Sequence, residues 1–243
     1  MNLPKNKEIL FLTGANGQLG KAIYEKLFKD YEIYCLDISY TKEETNSNNI
    51  KIDISDSSQV TDLYNSINPD VVINNAGLSV FTSFTDRSEK ELDDVYEVNL
   101  KGTINMINAF ARVNDYNKKP KRIINIGSLY GIVSADPRIY TDCNRNSPEI
   151  YAATKAGVIQ LTKYYCIHLR DINIRVNCVS PGGIYNPNEP QGDDFIKNYS
   201  ERCPMNKMGS AEDIADGVNF LASNKSSYIN GHNLVIDGGF TAW

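Results

Sequence analysis

A tyrosine and a lysine stand four residues apart in Tyr151-Ala-Ala-Thr-Lys155. On a helix that spacing places both on one face, where they can address the same crevice. A phenol ordinarily titrates near pH 10, so acting as a base near neutrality requires a fall of roughly 3 units, worth about 4 kcal/mol. A nearby ammonium is one source of that stabilisation, and a cationic ring is another. Ser128, in Ile126-Gly127-Ser128, adds a hydroxyl at the end of an apolar run, and Asn99 lies within a long helical stretch. The bland alternative is a half-exposed helix pair in a chain that carries 15 tyrosines. The pair gains its weight from the rest of the chain.

Near the start, Thr13-Gly14-Ala15-Asn16-Gly17-Gln18-Leu19-Gly20 follows an apolar run and opens a helical pattern. Gly14 suits a tight turn, Gly17 lets the backbone approach a pyrophosphate, and Gly20 permits close helix–strand packing. The free N–H groups of the helix start then face phosphate charge, with Asn16, Gln18 and Leu19 in the same turn. A purely structural glycine turn is the other reading. No Gly-Lys-Ser/Thr follows, which excludes a phosphate loop of the nucleotide-hydrolysing kind. Asp37 ends the next apolar run, where a carboxylate accepts both adenosine ribose hydroxyls and repels a 2′-phosphate. No arginine stands beside it, so the expected cofactor is NAD rather than NADP. Asp53 and Ile54 are placed for the adenine edge, and Asn75-Ala76-Gly77 for close backbone approach to the cofactor. Pro181, Gly182 and Ile184, after a later apolar run, complete the expected cofactor set. With a dinucleotide there, Tyr151 would take an alcohol proton as hydride passes to nicotinamide, or give one in reduction. Lys155 would hold the ribose and stabilise the phenolate, Ser128 would bond the substrate oxygen, and Asn99 would orient Lys155 through a water.

These residues need a scaffold, and the apolar pattern supplies it. Short runs rich in Ile and Val recur at 9–13, 32–36, 49–52, 71–74, 122–126, 175–179 and 234–236. They read as strands buried on both faces. Helical stretches fall between them at about 18–29, 56–67, 89–113, 149–170 and 211–223. Such alternation predicts parallel strands joined by right-handed crossovers. The expected fold class is α/β: a single-domain, doubly wound Rossmann fold over residues 1–243, with a seven-stranded parallel sheet and helices on both faces. In the first helix Leu19, Ile23, Leu27 and Phe28 share an inward face. Pro69 stops the second helix before its strand. Two segments, 134–148 and 184–207, are expected to be loops that cover the substrate, the second through its poor periodicity and its prolines 187, 190 and 204.

Composition narrows the class further. Hydrophobic residues make up 41% and charged residues 23%, which is globular composition. The net charge of -5 and the absence of basic runs argue against a nucleic-acid partner. The five cysteines (35, 143, 166, 178, 203) show no CxxC spacing, so neither a disulfide framework nor a zinc knot is expected; Cys35 and Cys178 read as core thiols. Two histidines without an HExxH pattern make a metal centre an unpromising reading. No stretch approaches the ~20 apolar residues of a membrane span, and the expected location is cytoplasmic, with no membrane partner.

Taken together, the glycine turn, Asn74–Gly77, Asn99, Ser128 and Tyr151/Lys155 resemble the short-chain dehydrogenase/reductase family over essentially the whole chain. The resemblance implies an oxidoreductase that moves a hydride between NAD(H) and a secondary alcohol or ketone. It also implies a homotetramer or homodimer packed through long helices and the C-terminal strand. The sequence departs from the family's pattern in three ways. Its glycine spacing resembles the longer, sugar-nucleotide branch. Tyr151 follows Ser128 by 23 positions, a wide gap filled by an insertion carrying Arg138, Tyr140, Asp142, Asn144 and Arg145. The usual threonine after Pro181-Gly182 is missing, and Tyr185 and Asn186 stand nearby. Of the insertion's arginines Arg138 is the better placed to pair with a substrate phosphate or carboxylate, and a solvated loop or a subunit contact is at least as good a reading. Ser180–Ile184 and Gly238–Trp243 resemble oxidoreductases of bacterial surface-sugar pathways, including flagellin-glycan and nonulosonate biosynthesis. That implies a small-molecule substrate, a sugar or sugar-phosphate. Two other classes stay open: a non-catalytic dinucleotide-binding regulator, and a nucleotide-sugar epimerase or dehydratase with tightly held NAD. The latter usually devotes a longer C-terminal region to its nucleotide than the 61 residues that follow Gly182.

Overall fold

The computed structural model describes residues 7–113, 120–141, 147–189 and 191–243. Asp142, Cys143, Asn144, Arg145 and Pro190 lie outside the described residues. Seven strands form one all-parallel sheet: β1 (Glu8–Thr13), β2 (Tyr31–Asp37), β3 (Asn49–Lys51), β4 (Val71–Asn74), β5 (Lys121–Ile126), β6 (Ile174–Pro181) and β7 (Asn233–Ile236), in the order β3-β2-β1-β4-β5-β6-β7. The order reverses between β1 and β4, and in such sheets the crevice outside the carboxyl ends at that reversal is where ligands bind. The turns after β1 and β4 carry Gly14–Gly20 and Asn75–Gly77.

Alternation along the strands builds two cores, one on each face. Leu10, Leu12, Ile73 and Ile124 point to one side, where α1 (Gln18–Leu27) and α7 (Ala211–Ala222) bring Ile23, Leu27, Val218 and Leu221. Phe11, Val72 and Ile123 point to the other, against Val60, Phe110 and Tyr165 of α2 (Ser57–Ser66), α4 (Thr103–Arg112) and α5 (Glu149–His168). The fold is the expected Rossmann-type α/β arrangement. Full burial holds for β4 and β5, whereas β3 and β7 are only half-buried because they are the sheet's edges. Cys35 and Cys178 are buried, as expected of core thiols.

Four details differ from expectation. Phe28 is not part of the inward face of α1: it caps the helix, is 38% exposed, and stacks on Tyr24. The stretch 89–113 is not one regular helix. A π-helical turn over Glu97–Gly102 joins α3 (Glu89–Tyr96) to α4, and Asn99 sits in it. The region 184–207 is not irregular throughout, since α6 (Asp193–Arg202) forms within it. Finally, the segment read as a substrate-covering loop is, in its described part (134–141 and 147–148), packed into the fold. Ile139 joins Leu129, Phe195, Tyr199 and Phe240 in a third small core, and Asn198 Nδ2 donates to Thr141 Oγ1 at 2.9 Å.

Candidate active site

A cleft of about 990 Å³ runs along the carboxyl ends of the strands, from Asp37 at one end to Phe195 and Tyr199 at the other. At the Asp37 end the backbone conformation dictates residue type. Gly14 has φ +63°, and a Cβ there would lie 2.7 Å from the Ala76 Cα. Only glycine meets both conditions without strain. Gly17 precedes α1, and a Cβ on it would meet only the Gly14 carbonyl, at 3.5 Å, so its face is open to the cleft. An open glycine at a helix N-terminus is the cradle a pyrophosphate requires. The amide of Asn75 ties the two turns together, donating from Nδ2 to the carbonyls of Thr13 (3.0 Å) and Gly14 (2.9 Å).

Asp37 is held rigidly. Its Oδ2 accepts from the Asn16 N–H at 2.9 Å, and its Oδ1 accepts from the Ser39 N–H and hydroxyl at 2.9 and 2.8 Å. Asp53 and Ile54 follow β3 on the same wall. Asp53 Oδ1 accepts from the Ser55 hydroxyl at 2.7 Å, and Asn105 Nδ2 holds the Ile54 carbonyl at 3.0 Å. Gln18, Leu19, Gly20, Ala76 and Gly77 line the cleft too, as do Pro181, Gly182 and Ile184 across from them. Gln18 bridges the gap, donating from Nε2 to the Tyr185 carbonyl at 2.7 Å.

At the cleft's centre, Ser128, Tyr151 and Lys155 converge. Ser128 follows β5 in extended conformation (φ -167°) and accepts the Tyr130 N–H at 3.1 Å. Its hydroxyl also bonds the Tyr151 phenol. Lys155, 4% exposed, donates from Nζ to the Ile126 carbonyl at 2.7 Å and lies 5.7 Å from the centroid of the Tyr151 ring. Burial brings its ammonium down to about 8, with Cys178 acting weakly the other way. The phenol behaves unlike the expectation. Burial pushes it above the ordinary tyrosine value, the Ser128 hydrogen bond pulls it partly back, and Tyr140 pushes it up again. The lysine does not offset this, because its own charge is disfavoured by the same burial and is aimed at a backbone carbonyl.

Of the expected catalytic and cofactor-binding residues, Asn99 alone does not line the cleft. It is 1% exposed, and its amide is occupied: Oδ1 accepts the Leu78 N–H at 2.7 Å, while Nδ2 donates to the Leu78 carbonyl (2.9 Å) and Thr154 Oγ1 (3.1 Å). It braces the strand-β4 loop against the residue preceding Lys155. Arg138 does not reach the cleft either. It is a surface residue paired with Asp136 at 2.7 Å, because Asp136 is the N-cap of the short turn Pro137–Ile139 that Arg138 enters. Sequence reasoning placed Tyr140 in the insertion over the substrate but missed the far wall it forms, where Tyr130 and Tyr140 share a hydroxyl–hydroxyl bond of 3.0 Å and Tyr140 packs on Phe195 with ring centroids 5.1 Å apart. It also missed Arg87, whose buried guanidinium pairs with Glu149 at the start of α5. Tyr140 and Arg87 have no spacing signal of their own.

Comparison with known proteins fits this geometry. Residues 37–241 match the family model described as enoyl-(acyl carrier protein) reductase. The chain belongs to the short-chain dehydrogenase/reductase family, and as such is an oxidoreductase. It is 31% identical to the 3-oxoacyl-(acyl-carrier-protein) reductase FabG of Buchnera aphidicola over 96% of this chain and 97% of that one. It is 34% identical to the ribulose-forming D-arabinitol 2-dehydrogenase of Candida tropicalis over 71% of this chain and 60% of that one. A crystal structure of a short chain dehydrogenase from Leptospira borgpetersenii serovar Hardjo-bovis with bound NAD+ matches with a TM-score of 0.88 and 38% identity, covering 99% of this chain and 97% of that one. These three relatives do not support the likeness to surface-sugar enzymes. Among the described residues, no helix is long and apolar enough to cross a membrane.

Proposed function

We propose that the chain is an NAD(H)-dependent dehydrogenase acting on a secondary alcohol or its ketone. The observation that carries this reading is the convergence of Ser128, Tyr151 and Lys155 on a cleft whose other end is the glycine turn and Asp37. NAD, when bound, supplies the hydride acceptor, and NADH the donor. Asp37 would accept the adenosine ribose hydroxyls, and the turn Gly14–Gly20 would take the pyrophosphate. Tyr151, a phenol whose ionisation burial disfavours, is suited to give its proton to a carbonyl oxygen in reduction; in oxidation the phenolate receives one. Ser128 positions that oxygen. Lys155 spends one of its three N–H groups on Ile126, which leaves donors for the ribose and the phenol. Asn99 acts from behind, holding the segment that carries Lys155.

The substrate we favour is an unphosphorylated sugar or polyol. Lys155 is the only basic residue among the described residues lining the cleft, and the acids Asp94 and Glu97 in that lining are each paired with a lysine outside it, Lys90 and Lys101. A sugar phosphate, or an acyl group on a phosphate-bearing arm, would find no basic side chain but Lys155 along that lining to receive its charge. The D-arabinitol relative supports a polyol; the FabG relative supports a ketoacyl substrate instead. The test is NADH formation with polyols, free hexoses and hexose phosphates, set beside NADH consumption with a ketoacyl thioester. Tyr151→Phe should cut turnover by about 10³-fold while NADH still binds. Near wild-type turnover in that variant would defeat the mechanism, and preference for the thioester would defeat the substrate assignment.

A further inference from the structure

We infer that Gln191 holds the nicotinamide carboxamide, its Oε1 accepting the amide N–H. The inference rests on reading the cleft as a dinucleotide site. If Asp37 and the glycine turn take the adenosine half, the reacting ring lies between Tyr151 and the wall formed by Pro181–Ile184. Gln191 is part of that wall, donating from Nε2 to the Ile184 carbonyl at 2.9 Å. Its Oε1 is shut off from solvent and has no hydrogen-bond partner among the described residues. Buried acceptors in folded proteins almost always find a donor, so this one calls for a donor arriving from the cleft.

The direction of the amide is settled by chemistry. Turned over, it would set two carbonyl oxygens against each other, because the Ile184 group it meets is the carbonyl. A primary carboxamide offers two N–H donors and fits the vacancy in kind. The two residues nearest the missing threonine are committed elsewhere. Tyr185 is 41% exposed, and its carbonyl is taken by Gln18. Asn186 Oδ1 accepts the Asn188 N–H at 3.1 Å. Gln191, brought back by the loop that leads into α6, supplies what the local sequence lacks.

Calorimetric affinities of the wild type and Gln191→Met for three ligands provide the test. These are NAD, its 3-acetylpyridine analogue (a methyl ketone in place of the carboxamide, with no N–H), and ADP-ribose. The wild type should bind NAD about tenfold more tightly than the analogue, about 1.4 kcal/mol. In Gln191→Met that ratio should fall towards one, with ADP-ribose affinity unchanged. NAD binding with an undiminished ratio would overturn the inference and leave the dinucleotide reading standing. Equal losses for ADP-ribose would overturn it as well, by showing a collapsed loop in place of a lost contact. Failure of the wild type to bind any of the three would remove the dinucleotide reading, and this inference with it.

Discussion

Lys155 shows how one residue trades stability for chemistry. Its ammonium is held at about 8 in the folded chain against an ordinary 10.5, because burial disfavours charge. The unfolded chain therefore binds that proton more readily, so the contribution of Lys155 to stability improves as pH rises from about 8 towards 10.5 and is at its worst, and constant, below 8. Lys155→Met should accordingly melt higher relative to wild type at pH 7 than at pH 10, while losing turnover by about a hundredfold or more. Thermal melts across that range check the sign; a gap that does not change with pH would contradict the buried ammonium. Tyr151 is the complementary case. Its raised value keeps it protonated at neutral pH, so carbonyl reduction is favoured there and alcohol oxidation gains as pH rises.

Among the elements, the insertion before α5 and the helix α6 are partners. Ile139, 2% exposed, sits against Leu129, Phe195 and Tyr199, and this contact presents Tyr140 to the cleft beside Tyr151. Ile139→Ala should destabilise the fold by about 3 kcal/mol in urea unfolding, the range typical of cavities left by buried aliphatics. It should raise KM for the alcohol several-fold and leave NADH affinity unchanged, because the glycine turn lies at the other end of the cleft. A parallel loss of NADH affinity would show that the two ends are coupled. The π-turn Glu97–Gly102 works at the same scale. A single wide turn brings Asn99 to Leu78 and Thr154, and such turns recur where a helix must aim a side chain.

Across the molecule, the cleft joins both halves of the sheet, with Asp37 at the end of β2 and Pro181–Ile184 at the end of β6 and just beyond it. A ligand spanning it ties those halves together only in the folded state. NADH at a hundred times its Kd should stabilise the fold by about 2.7 kcal/mol, seen as a rise of roughly 5–10 °C in Tm for a chain of this size. NADPH at the same concentration should give little shift. Asp37, fixed by Asn16 and Ser39, cannot swing away from a 2′-phosphate, and no basic residue lines that end of the cleft among those described. Equal shifts with both dinucleotides would refute the preference.

Much of this architecture is legible without coordinates, because periodicity records burial directly. The runs at 71–74 and 122–126 are fully buried strands, and Gly14 is required by a backbone angle that few other residues adopt. The order of glycine turn, Ser128 and Tyr151/Lys155 along the chain likewise places them at strand ends on one side of a parallel sheet. Helix α6 was hidden because Phe195 and Tyr199 are its only buried positions, and their partners Leu129, Ile139 and Phe240 are remote in sequence. Arg87 was hidden for the same reason, while Tyr140 and Gln191 fell in the two segments read as covering the substrate, with no spacing to single them out. Charge states belong wholly to the tertiary structure: the local sequence pairs an ammonium with a phenol, but burial decides how much charge either one keeps.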